Sequence, residues 1–83
     1  MTRREREILR ALAACRRLHE ERPWGTDRSR FLNLRRLGTH QAMMERLYMR
    51  GLVDGPRWTS DSSWWCITAE GILALEEANA AKA

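Results

Sequence analysis

The residues with the widest chemical repertoire in this 83-residue chain are two cysteines, two histidines, four tryptophans and fourteen arginines. Cys15 and His19 stand one helical turn apart, and Cys66 and His40 could in principle complete a Cys2His2 zinc set. None of the close Cys–Cys or His–His pairs that zinc sites use is present, however. Cys15 and His19 fall on an apolar helical stripe, where a buried thiol and a hydrogen-bonded imidazole are the ordinary arrangement. The chain also lacks a P-loop, a Gly-x-Ser-x-Gly elbow, a His-Glu-x-x-His pair and any paired-carboxylate setting in an evident cleft. No catalytic residue, cofactor or metal is expected. A domain this small is not expected to enclose a substrate pocket either.

Arginine offers a different chemistry, the binding of polyanions. Fourteen arginines stand against one lysine, Lys82, a skew that a GC-rich genome produces in part by itself. Their distribution is more informative. Residues 1–36 carry 11 arginines against 5 acids, a net of +6, whereas residues 37–83 have a net of −2. A basic half joined to a slightly acidic half suits a polyanionic partner.

The elements that must position these groups follow from periodicity and caps. Residues 2–22 predict a helix: Thr2-Arg3-Arg4-Glu5 fits a capping box, and Ile8, Leu12, Cys15 and His19 form a stripe widened by Leu9, Ala11 and Leu18. Arg3, Arg6, Arg10 and Arg17 fall opposite it, and Pro23 ends the helix. Residues 23–29 read as a connector in which Trp24 packs under the first helix. Beyond it, a short helix capped by Ser29 and ended by Gly38 competes with a short strand through Phe31–Leu34. Thr39 caps a helix over 40–50, ended by a left-handed Gly51, with Ala42, Met43 and Leu47 inward and Gln41, Met44, Glu45 and Tyr48 outward. Asp54-Gly55-Pro56 reads as a turn. Arg57-Trp58-Thr59 and Trp64-Trp65-Cys66-Ile67 predict a two-stranded hairpin, with Trp65 and Ile67 inward and Trp64 and Cys66 outward. Thr68 caps a last helix over 69–81, with Ile72, Leu73 and Leu75 on its apolar side. The chain is therefore expected to be one α+β domain, mostly α, spanning 1–83.

Two stretches carry a family resemblance. Met43-Met44-Glu45-Arg46-Leu47-Tyr48-Met49-Arg50-Gly51-Leu52-Val53 resembles the exit of the recognition helix in bacterial winged helix-turn-helix regulators. Trp65-Cys66-Ile67-Thr68-Ala69-Glu70-Gly71 is similar to the segment by which the second wing strand enters the closing helix in MarR- and PadR-like proteins. The resemblance covers roughly residues 34–78 and implies a winged helix: helix, short helix or strand, recognition helix, two-stranded wing and C-terminal helix. It further implies a small prokaryotic or phage protein that binds double-stranded DNA as a transcription regulator or accessory factor. In that reading helix 40–50 enters the major groove from its His40 end, Gln41 reads adenine, and Glu45 accepts from cytosine N4. Met44 and Tyr48 make apolar or phosphate contacts. Arg35, Arg36 and Arg46 clamp phosphates, and Arg57 is the wing's single basic residue.

The chain departs from the pattern in its Leu37-Gly38-Thr39 joint, its sparsely charged wing and the carboxylate of Glu45. These features, with Tyr48, Trp58 and Trp64 as aromatic anchors, support an alternative. That alternative is a protein-binding winged helix, acting as an assembly subunit or as a phage-encoded inhibitor of a host complex that handles nucleic acid. There is no apolar run long enough for a membrane span. The Met1–Glu7 start is amphipathic rather than signal-like, and two cysteines suit a reducing cytoplasm. Monomer and homodimer both remain open.

Overall fold

A computed structural model describes residues 1–21, 30–60 and 62–81. They form α1 (Arg3–Glu20), β1 (Leu32–Asn33), α2 (Leu34–Leu37), α3 (Gln41–Met49), β2 (Val53–Trp58), β3 (Ser63–Ile67) and α4 (Ala69–Ala81). The architecture is α+β and mostly helical, with one three-stranded antiparallel sheet in the order β1-β3-β2. Among the described residues no helix is long and apolar enough to cross a membrane. The connector, including Trp24 and the Ser29 cap, lies outside the described residues.

The capping box forms as its residues require. Glu5 N donates to Thr2 Oγ1 (3.1 Å), and Thr2 N donates back to Glu5 Oε1 (2.7 Å). Ile8, Leu9 and Leu12 of α1 are buried, but Ala11 and Leu18, expected on the same stripe, are exposed. The region after the connector keeps a part of each competing expectation: the strand shortens to two residues, and the helix, capped by Asn33 rather than Ser29, shortens to one turn. Leu32–Asn33 pair with β3, and Asn33 Oδ1 then accepts from Arg36 N (2.8 Å) to cap the single turn of α2. Gly38 and Gly51, at φ 64° and 75°, occupy the left-handed conformation that ends α2 and leads out of α3.

Two expectations need correction here. Asp54-Gly55-Pro56 is not a turn but part of β2, where the register with β3 slips between Asp54 and Arg57; an irregular strand absorbs the turn-forming residues. Cys66 is buried rather than outward, because β3 is the central strand and has little exposed surface on either face. Burial pushes the thiols of Cys66 and Cys15 up, so neither is readily ionised.

The core joins Ile8, Leu9 and Leu12 to Leu37, Met44, Leu47, Leu52, Val53, Trp65, Ile67 and Leu75. Thr68 caps α4 by accepting from Gly71 N (3.0 Å), while its hydroxyl donates to the Gly51 carbonyl (2.6 Å). Leu75 is buried and Ile72 half-buried, whereas Leu73 is exposed, contrary to the apolar side assigned to it.

One ion pair ties the start of α1 to the end of α3. Arg50 Nη1 donates to Glu5 Oε2 at 2.8 Å, and only 12% of the Glu5 side chain is exposed. The hydrogen bond from the Thr2 backbone holds the Glu5 carboxyl below its ordinary value of 4.5; desolvation opposes this, and the Arg50 charge assists it. A depressed carboxyl stabilises the fold above its unfolded pKa, and that contribution disappears as pH falls through the folded value. Glu5→Gln should therefore cost about 1–2 kcal/mol at pH 7. In urea titrations repeated from pH 7 to pH 3, its gap from the parent should narrow as pH falls below the ordinary carboxyl value of 4.5.

Candidate nucleic-acid interface

The outward face of α3 is set by which residues its neighbours bury. Met44 and Leu47 are completely buried and Met43 is partly so, which turns Ala42, Glu45, Arg46 and Met49 to solvent at i, i+3, i+4 and i+7. This corrects the expected rotation of the helix. Met44 cannot touch a partner, and Ala42, assigned inward, is exposed. The reason lies in area: burying the long Met44 side chain removes far more apolar surface from water than burying Ala42.

A relay of polar groups holds α3 against the sheet. Trp65 Nε1 donates to Ser63 Oγ (3.0 Å), and Ser63 Oγ donates to Gln41 Oε1 (2.8 Å). Gln41 Nε2 reaches Glu45 Oε1 at 3.4 Å, so both ends of the amide are engaged within the protein. Gln41 is consequently a positioning residue rather than a free reader of bases. The Tyr48 ring meets the Trp65 ring edge-on, with centroids 6.4 Å apart and planes at 67°. Tyr48 thus sits on the flank of α3 that faces the sheet, with its outer half exposed.

His40, rather than Thr39, is the N-cap of α3. Its Nδ1 accepts from Met43 N (3.3 Å), which leaves the ring proton on Nε2, free to donate outward at the helix start. On the preceding turn Arg35 and Arg36 are exposed. The positive charge of Arg36 partly opposes the rise that burial gives the Cys15 thiol of α1. Arg4 of α1 donates to the carbonyls of Leu37 and Gly38, clasping the tight joint between α2 and α3. This clasp and the Glu5–Arg50 pair have no local signal in the sequence, since they join residues 33–34 and 45 positions apart.

Arg57 belongs elsewhere. It pairs in register with Trp64, while Ser63, the residue that contacts α3, is paired with Trp58. Directly opposed residues share a face, so Arg57 lies on the Trp64 face of the hairpin, and Trp58, opposite Ser63, belongs to the last pair before the turn. There its guanidinium lies 4.7 Å from the centre of the Phe31 ring. Trp58 is 67% exposed and Trp64 is half-buried, its Nε1 donating to Thr59 Oγ1 (3.0 Å). Together with Phe31, Arg57 and Thr59, these tryptophans line an open groove of about 380 Å³. A concavity of ligand-binding size was not expected in a domain this small.

The expected site thus divides into two groups. His40, Glu45 and Arg46, joined by the unanticipated Ala42 and Met49, lie on or at the start of the outward side of α3, with Arg35 on the turn before it. Arg57, Trp58 and Trp64 form a second group at the hairpin. No family model, curated protein or solved structure compared with the chain matches it.

Proposed function

We propose that the chain is a winged-helix protein that binds double-stranded DNA through the outward face of α3, as a regulator of transcription or an accessory factor on DNA. The observation that carries this reading is the path of the chain: helix, strand, helix, helix, hairpin, helix, with β1 paired to the far strand of the hairpin and α3 docked on the sheet. That arrangement packs one side of a short helix on the sheet and leaves its other side, Ala42, Glu45, Arg46 and Met49, open to solvent, as entry into a major groove requires.

In this reading His40 Nε2 donates at the groove edge, Ala42 meets a thymine methyl and Glu45 accepts from cytosine N4. Arg46 and Arg35 neutralise phosphates on either side. Binding is then driven largely by counterion release. Anisotropy titrations of a labelled duplex should give micromolar or tighter binding at 50 mM salt and a steep loss by 200 mM. Arg46→Ala and Arg35→Ala should each weaken all duplexes alike and lower the slope of log K against log salt by about 1. Slopes identical to the parent's would count against the assignment.

A second reading, a protein-binding winged helix, is favoured by Met49, which is 82% exposed at the C-terminal end of the same face, one turn after Glu45. An exposed methionine suits an adaptable protein contact better than a phosphate backbone. Met49→Glu would abolish such a contact in a pull-down; under the DNA reading it acts only through added negative charge.

A further inference from the structure

The second group of residues has a chemistry of its own, independent of α3. We propose that the groove at the hairpin is a stacking site for unpaired bases of single-stranded nucleic acid, with Trp58 and Trp64 as the stacking surfaces and Arg57 as the phosphate partner.

Three observations converge on this occupant. First, the indoles are presented rather than buried. Trp58 is 67% exposed at the end of β2, and Trp64 has its single donor satisfied by Thr59 Oγ1, so that ring is oriented without needing a hydrogen bond from a ligand. A base offers a π-face and makes no such demand. Second, the charge is of the right sign. Arg57 and Arg30 both approach the Phe31 ring, at 4.7 and 5.4 Å. Among the described residues neither forms an ion pair. The nearby acid, Asp54, accepts from Gly55 N (3.0 Å) and does not bridge to either arginine. Packing on Phe31 restrains Arg57 before binding, so less of its freedom is lost when it meets a phosphate. Third, the groove is open and about 380 Å³, which suits one or two stacked planar rings continuing along a strand. Aromatic surfaces interleaved with arginine are the general means of holding unpaired bases without reading their sequence.

The test uses the full chain and four probes: labelled dT12, an abasic strand of equal length and charge, a duplex, and an acidic tryptophan-containing peptide. The parent should bind dT12 at micromolar concentration in 50 mM salt and the abasic strand at least about five-fold more weakly. Trp58→Ala, at an exposed position, should keep its thermal midpoint and lose about ten-fold or more for dT12 while changing duplex affinity less than two-fold. Arg57→Gln should flatten the salt dependence for dT12. Equal binding of dT12 and the abasic strand would overturn the proposal, as would an unchanged dT12 affinity in Trp58→Ala. Binding of the peptide in place of dT12 would overturn it in favour of a protein ligand. Loss of duplex binding alone bears on α3 and leaves this site standing.

Discussion

Trp65→Ala should lower the stability of the domain by about 3–5 kcal/mol, the cost of emptying a large core site. Trp65 is completely buried, and it joins three parts of the molecule at once. Its ring fills the core between the sheet and α1, its edge supports Tyr48, and its Nε1–H begins the relay through Ser63 to Gln41. A domain of this length has a total stability of only about 4–12 kcal/mol. The variant should therefore lose a large share of its stability, with a clear drop in both thermal and urea midpoints. Trp65→Phe separates the two contributions: it keeps most of the volume but removes the donor to Ser63, and should cost about 1–3 kcal/mol. A loss below 1 kcal/mol for the alanine variant would contradict the assignment of this residue as the centre of the core.

Gly71→Ala is the second large effect, and its sign is diagnostic. In a helix interior this substitution ordinarily stabilises by up to about 1 kcal/mol. Here a Cβ would stand 2.1 Å from the Leu52 carbonyl oxygen and 2.7 Å from Ile67 Cγ1. Neither neighbour can yield cheaply. The Leu52 carbonyl already accepts from Thr68 N (3.2 Å), and Ile67 is buried in the core. The start of α4 must then lift away from β2 and β3, at a net loss of about 2–3 kcal/mol. Thermal unfolding of Gly71→Ala beside Leu73→Ala, at an exposed position on the same helix, isolates the close approach from helix propensity. A stabilised Gly71→Ala would refute it.

These two residues also show what the sequence makes legible. The Thr68 cap is readable because its requirement is local, a hydroxyl to hold Gly71 N, whereas the need for a bare glycine at 71 comes from the Leu52 carbonyl, far back in the chain. Thr2 with Glu5, and Gly38 and Gly51 as helix ends, are legible for the same reason. The inward placing of Trp65 and Ile67 follows from strand alternation alone. What resisted reading depends on contacts distant in the chain. The helical projection puts Met43 inward and Met44 outward, and only the position of the sheet decides that Met44 is buried and Gln41 is tied to Ser63. Asp54-Gly55-Pro56 has turn composition, yet pairing across β3 draws it into a strand. Leu18 and Leu73 extend apolar stripes by periodicity, and both are exposed. Arg57 lies near the α3 group in a linear reading, and the register of β2 with β3 sets it opposite Trp64 instead.

The central claim is that α3 presents Ala42, Glu45, Arg46 and Met49, with His40 at its start, to a DNA duplex. Amide chemical-shift mapping of the labelled 83-residue chain during titration with duplex DNA at 50 mM salt tests it most directly. The largest shifts should cluster over residues 35–36 and 40–49 and vanish as salt is raised, while α4 is unmoved. No shifts at a two-fold excess of duplex, or shifts confined to α4, would contradict it.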